Sequence, residues 1–257
     1  MKLVKLGGSV ITNKRSGGPR AVFRAGAARR LLSEIVASGE RVMLVTGAGS
    51  FGHVKARRFG LGGGFKEDRQ WAGFAEVARD VRRLNLMVLD LAVRLGMRPI
   101  SVPPSVSVLM DNGRIHYIDE GVFRRYVQKG LTPVTFGDVA LDTSRGFSIC
   151  GGDLLMERLA ALFGAERAVF VSDVDGIRVG AKGELAPEFG PNDLGRITRL
   201  RDARGADVTG GIEEKARLAL RMAAGGTETV ILNGRKAGRL LEALKGGRPK
   251  GTWFRRP

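Results

Sequence analysis

Val42-Met43-Leu44-Val45-Thr46-Gly47-Ala48-Gly49-Ser50-Phe51-Gly52-His53 runs from an unbroken apolar segment straight into three glycines within six positions. Such a segment ended by glycine has the length and character of a strand buried on both faces. The glycines let backbone N–H groups approach an anion with no Cβ in the way, and the residues after them lead into a helix, whose N-terminus favours negative charge. Strand, glycine loop and helix in succession form the unit from which α/β folds are built.

Working outward, the same grammar recurs on both sides. Residues 3–6 form a short apolar strand closed by Gly7-Gly8-Ser9, with Lys5 beside the glycines. Ala28, Leu31, Leu32, Ile35 and Val36 recur at helical spacing through 25–38, and Gly39 supplies a stop. A longer helix spans 69–95, closed by Gly96 and followed by Pro99. Further strands are expected at 100–102, 132–136, 168–172, 229–232 and 252–254, one hairpin arm at 114–117, and helices at 121–129, 154–163, 212–224 and 237–244. This alternation predicts a mostly parallel sheet with helices on both faces, and long Gly-rich and charged loops at 13–20, 60–68 and 173–211 are where a ligand belongs in such a fold.

Composition narrows the class. The chain has 257 residues, 43% hydrophobic and 27% charged, which excludes a disordered polymer. Glycine is the outlier: 38 residues, about twice the usual ~7%, without the three-residue period of collagen. Cys150 is the single cysteine, so no intrachain disulfide forms. No apolar run approaches the ~18 residues of a membrane span, and Met1-Lys2-Leu3-Val4-Lys5 lacks the pattern of a secretion signal, so a cytoplasmic protein with no membrane partner is expected. The net charge is +17. It is spread along the chain, mostly as arginine, and aromatic residues make up only 6% with no alternation with basic ones. A basic surface attractive to anionic substrates is therefore favoured over a specific nucleic-acid partner.

Four glycine-bearing loops carry the chemistry. Lys5-Leu6-Gly7-Gly8-Ser9 and Gly47–His53 are two. Ser172-Asp173-Val174-Asp175-Gly176 is a third, either a plain turn or a nucleotide contact, with Mg²⁺ held indirectly. Asp207-Val208-Thr209-Gly210-Gly211-Ile212-Glu213-Glu214-Lys215 is the fourth, opening a helix that carries Lys215 in its first turns. Taken singly, each also reads as an ordinary turn or cap. No Walker A sequence occurs. The G-x-G-x-x-G after the second strand has no acidic residue in the ribose position, which disfavours a dinucleotide dehydrogenase. His53, at the rim of its loop, can donate to a phosphate oxygen, whereas His116 in the hairpin arm is read as structural. Together the loops point to phosphoryl transfer on a scaffold without a P-loop.

In that order, and across nearly the whole chain, these motifs resemble the amino acid kinase superfamily. Lys5-Leu6-Gly7-Gly8-Ser9-Val10-Ile11-Thr12, Lys14 and the His53 loop are most similar to the isopentenyl phosphate kinases within it. Gly146-Phe147-Ser148-Ile149-Cys150-Gly151-Gly152-Asp153 matches that family's third loop, departing from it at Gly151 and Leu154. The resemblance implies a three-layer αβα sandwich formed as one domain over residues 1–257. An acceptor-binding lobe would cover roughly 1–165 and an ATP-binding lobe 166–257, in a homodimer. It implies transfer of the γ-phosphoryl group of ATP to isopentenyl phosphate with Mg²⁺ bridging the ATP phosphates, in a branch of the mevalonate pathway.

The resemblance also distributes roles. Lys5, Lys14 and Lys215 would meet the ATP phosphates and the transferred group. Gly7, Gly8, Ser9, Gly49, Asp173, Asp175, Gly176 and Gly211 would complete the ATP site. His53 would hold the acceptor phosphate with the backbone of Ala48, Gly49 and Gly152. Asp153 would hold the lysines in place by ion pairing. Trp71, Phe74, Ala75 and Ala78, on one helix, are candidates for the wall of an apolar tail pocket, or simply core. No metal ligand is assigned. The competing readings are a related kinase acting on fosfomycin, UMP, glutamate or carbamate, and a non-catalytic basic protein binding RNA or DNA, whose affinity would fall steeply with salt.

Overall fold

Every residue of β1 (Lys2–Leu6) is buried, as expected of a strand at the centre of a sheet covered on both faces. The computed structural model describes residues 1–13, 21–198 and 210–255. After β1 the chain forms α1 (Gly8–Ile11), α2 (Ala25–Ser38), β2 (Val42–Thr46), α3 (Gly49–Arg58), α4 (Arg69–Arg94), β3 (Pro99–Ser101), α5 (Pro104–Ser107), β4 (Val108–Asp111), β5 (Arg114–Ile118), α6 (Glu120–Gln128) and β6 (Thr132–Phe136). It continues through β7 (Asp138–Asp142), β8 (Gly146–Cys150), α7 (Gly152–Phe163), β9 (Arg167–Ser172), β10 (Arg178–Val179), β11 (Glu184–Leu185), β12 (Glu188–Phe189), α8 (Gly210–Ala224), β13 (Glu228–Asn233), α9 (Arg239–Leu244) and β14 (Gly251–Phe254).

The main sheet has the order β12-β14-β13-β9-β1-β2-β6-β3. Its pairs are parallel from β13 to β3, and β14 runs antiparallel to β13. Alternate side chains of these strands feed two separate cores. Val4, Leu6, Leu44, Val134 and Val171 face α2, α4 and α9, whereas Leu3, Met43, Val45 and Phe170 face α7 and α8. That is the three-layer αβα sandwich, and each fully buried Leu or Val contributes about 1.5–3 kcal/mol. Glu34 of α2 reaches across one helical layer: its carboxylate accepts from the amides of Gly238 and Leu241 (3.1 and 3.2 Å), so a side chain 204 residues earlier caps the start of α9.

Several elements differ from the sequence expectation. A second, four-stranded sheet, β5-β4-β7-β8, stands beside the main one. The stretch 146–153 was expected as a loop, yet its first five residues form β8, antiparallel to β7. The loops 60–68 and 173–211 also hold short 3-10 turns and the small strands β10, β11 and β12. Among the described residues no helix is long and apolar enough to cross a membrane.

The β7–β8 turn is organised by one carboxylate. Asp142 is 3% exposed and accepts from the amides of Asn112, Gly113, Ser144 and Arg145 (2.8–3.0 Å) and from the Ser148 hydroxyl (2.6 Å). Burial works against its ionised form, but the Ser148 hydroxyl and the amides outweigh it and hold the pKa down to about 2. Replacing Asp142 with Ala strands these donors, and a loss of about 2–4 kcal/mol is expected from the denaturation midpoint. Because the folded pKa lies below the unfolded value, this contribution is complete above about pH 4 and fades as pH falls toward about 2. The parent should therefore lose stability across that interval more steeply than Asp142→Ala.

Candidate active site

Leu6 at the end of β1 pairs with Thr46 of β2 and Val171 of β9, and Thr46 pairs with Phe136 of β6. Four parallel strands thus stop in line, and the segments that follow them emerge at one edge of the sheet. Two of these segments touch backbone to backbone. A Cβ on Gly8 would stand 2.4 Å from the Gly49 nitrogen, so no side chain fits between the loops opening α1 and α3. A methyl group on Gly137, which follows β6, would stand 3.4 Å from the Ala48 nitrogen and 3.6 Å from the Gly152 nitrogen. The starts of α3 and α7 therefore face one another across Gly137. First-turn amides have no carbonyl behind them within their helix, and they carry the positive end of its dipole. Converging, they form a cradle for anions.

Three charged side chains from distant parts of the sequence meet at this edge. Lys5 Nζ lies 2.5 Å from Asp153 Oδ1, and Lys215 Nζ lies 2.7 Å from Asp153 Oδ2 and 2.8 Å from Oδ1. β1 delivers Lys5, the first turn of α7 delivers Asp153, and α8 delivers Lys215 over the ring of Phe170 at 5.5 Å. A Cβ on Gly152 would come within 3.0 Å of Lys5 Cε, so glycine there leaves room for the lysine. Burial lowers the Lys5 pKa to about 8, and repulsion from Lys215 adds to this against the pull of Asp153. Burial also opposes ionised Asp153, but Lys5 and Lys215 outweigh it and hold that carboxyl at about 2. Two cations share one anion, leaving a surplus positive charge at the amide cradle.

His53 lies one turn beyond Gly49 on α3 and is exposed. Residues i and i+4 share a face, so His53 lies on the same side of α3 as Gly49. Beside it lies an apolar cluster. Val77, Ala78 and Val81 of α4 pack with Phe136, Val139 and Phe147, and Ala48 and Phe74 close against them. Phe74 packs tilted against Phe147 at 5.7 Å between ring centroids, and Trp71 meets Phe147 edge to face at 5.2 Å. Ala48 belongs both to the glycine loop and to this cluster, so the anion cradle and the greasy wall are contiguous. Ala75 is exposed on the same helix.

The remaining candidates fall as follows. Ser9 is half-buried in α1, and Gly7 donates its amide to Val171 O at 2.8 Å. Asp173 lies 3.5 Å from Arg235, and Asp175 pairs with Arg239 at 2.6 Å and accepts from Asn233. Gly176 packs against Thr252, and Gly211 is exposed at the start of α8. Lys14 lies outside the described residues. Sequence reasoning gave no role to Gln70 or Phe65. Gln70 is 3% exposed; its side chain accepts from Lys66 N and Glu67 N and donates to the carbonyls of Phe59, Gly60 and Gly64. It pins the glycine-rich loop that sets Phe65 against Trp71 and Phe147.

A glycine-lined cradle at the ends of parallel strands, with two lysines yoked by one aspartate, has the parts that phosphoryl transfer requires of a scaffold without a P-loop. Residues 1–233 match the amino acid kinase family model, and the chain belongs to that family. Among its relatives, it is 36% identical over 263 residues to the isopentenyl phosphate kinase of Methanothermobacter thermautotrophicus, covering 98% of each chain. It is 41% identical over 177 residues to that of Thermoplasma acidophilum, covering 69% of each. A crystal structure of an isopentenyl phosphate kinase superposes with a TM-score of 0.87 at 30% identity, over 98% of this chain and 99% of the other. An isopentenyl phosphate kinase substrate complex gives 0.80 at 32% identity, over 99% and 100%.

Proposed function

We propose that this chain transfers the γ-phosphoryl group of ATP to isopentenyl phosphate, giving isopentenyl diphosphate and ADP. The observation that carries the reading is the contiguity of the amide cradle with the Phe74–Phe147 cluster, with the Lys5–Asp153–Lys215 group alongside. An acceptor that joins a phosphate to a short apolar tail needs both surfaces side by side. Its phosphate is ionised at neutral pH, so no general base is required. The catalytic task is to bring two anions together and to stabilise charge spread over the phosphoryl group in flight.

In this reading Lys5 and Lys215 neutralise the ATP phosphates and the transferred group, with Lys14 joining them. Gly8, Ser9, Gly49 and Gly211 offer backbone to the nucleotide, Gly7, its amide spent on Val171 O, shapes the turn beside them, and Asp173, Asp175 and Gly176 border it. The amides of Ala48, Gly49 and Gly152 with His53 hold the acceptor phosphate. Asp153 is a positioning residue that fixes both ammonium groups. Mg²⁺, bound together with ATP, would supply further neutralisation of the phosphate charge. The acceptor lobe then spans roughly 1–165 and the ATP lobe 166–257. We further place the enzyme in the cytoplasm, as a homodimer, in an alternative branch of the mevalonate pathway.

ADP release from Mg-ATP across isopentenyl phosphate, dimethylallyl phosphate, fosfomycin, UMP and carbamate tests the reading. The highest kcat/KM is expected with isopentenyl phosphate, and a preference for UMP or fosfomycin would overturn it. Tail recognition has its own test. Phe74→Ala should admit longer alkyl monophosphates, and Ala78→Leu should reject even the five-carbon tail. At about 0.8 kcal/mol per buried methylene, each added carbon is worth roughly fourfold in kcat/KM. Chain-length profiles that ignore both positions would place the tail elsewhere.

A further inference from the structure

We infer that Thr12 is a positioning residue for the transfer: its hydroxyl ties the glycine loop that opens α1 to the glycine loop that opens α3. The inference rests on the reading above, in which the first loop faces ATP and the second the acceptor phosphate. Thr12 follows α1 directly and has no exposed surface. Its Oγ1 donates to the Gly8 carbonyl at 2.6 Å and accepts from the Ser50 amide at 3.1 Å. One hydroxyl thus uses its single proton on one loop and a lone pair on the other.

The surroundings make that hydroxyl hard to replace. The Thr12 amide donates to Gly8 O at 2.9 Å, and its backbone bridges to Phe23, so the Cα is fixed from two sides. Two substituents on Cβ restrict the χ1 rotation further. Gly49 has φ +51°, and a Cβ there would lie 2.1 Å from Thr12 Oγ1. The hydroxyl occupies the space that the missing side chain leaves. Both loops begin with glycines and are intrinsically pliable. What the reaction needs from them is a constant separation, because in-line transfer is sensitive to displacements of about 1 Å, worth roughly 10²-fold in rate. A bond joining the first turns of α1 and α3 holds that separation without touching either substrate.

The test compares the full-length parent with Thr12→Val, which keeps the shape and removes both hydrogen bonds, and with Thr12→Ser, which keeps the hydroxyl. Steady-state kinetics are measured for ATP and isopentenyl phosphate, with melting temperature alongside. Thr12→Val should lose about 10–100-fold in kcat while both KM values stay within about threefold, and Thr12→Ser should stay within about threefold of the parent throughout. Should Thr12→Val not stay folded, Thr12→Ala, which also removes both hydrogen bonds, takes its place with the same readouts. The inference is overturned by a Val (or Ala) variant with the parent's kcat, by equal impairment of Val and Ser, or by a loss confined to the KM of one substrate. A parent that prefers another acceptor removes the proposed substrate, and the same comparison with that acceptor still decides Thr12. A parent that phosphorylates nothing removes both.

Discussion

Asp153→Asn should lower kcat by about 10²–10³-fold while leaving the fold in place. Asn keeps the size of Asp but cannot balance the two ammonium groups that lie 2.5 and 2.7 Å from the carboxylate. Lys5 and Lys215 would then repel one another in a buried site and move apart. A displacement near 1 Å at a transfer centre costs roughly 10²-fold, and the lost charge stabilisation adds to that. The variant has a second signature. Asp153 holds the Lys5 pKa up against burial, and that pKa is already lowered to about 8. Removing the anion favours neutral lysine, so the variant's kcat/KM should decline with rising pH from a lower pH than the parent's. Stopped-flow or coupled-assay profiles from pH 6 to 9 would show the shift. An Asp153→Asn enzyme within fivefold of the parent, with an unchanged profile, would remove the yoke from the account.

His53→Ala should nearly abolish transfer to isopentenyl phosphate while leaving ATP binding largely intact. The residue stands one turn along α3 from Gly49 and on the same side of the helix. Losing one donor from a preorganised anion site typically costs ~10²–10³ in rate. His53→Gln retains a donor and should keep more activity than Ala. A general base would behave differently: Gln would be as inactive as Ala, and rate would track deprotonation of a group near neutrality. Calorimetric titration with ATP separates the two substrates. If Ala and Gln both turn over like the parent, His53 has no part in acceptor binding.

The glycine loops were legible because glycine there serves the backbone directly. Gly8, Gly49 and Gly152 are small since another chain segment occupies the space a Cβ would need, and that demand leaves a trace in the sequence. The alternation of strands and helices was legible for a similar reason, since strands buried on both faces read as continuous apolar runs. The Lys5–Asp153–Lys215 group was not readable from spacing, because its members lie 148 and 62 residues apart and meet only through the sheet order. It came from the resemblance. The second sheet was legible only at the arm 114–117, which follows Asn112-Gly113, both at positive φ; β7 escaped because it begins and ends with aspartate, which interrupts the apolar pattern of a strand. Thr12 and Gln70 left still less trace. A single threonine or glutamine near a helix end looks ordinary until the backbone groups it satisfies are brought around it.

The central claim is the identity of donor and acceptor, and isotope transfer tests it most directly. ATP carrying ¹⁸O in its γ-phosphoryl group is incubated with isopentenyl phosphate, Mg²⁺ and the full-length chain, and the products are followed by ³¹P NMR. The account predicts that the label appears in the terminal phosphorus of isopentenyl diphosphate, in step with ADP formation. Label recovered only in inorganic phosphate, or in another acceptor of the panel while isopentenyl phosphate stays unchanged, would contradict it.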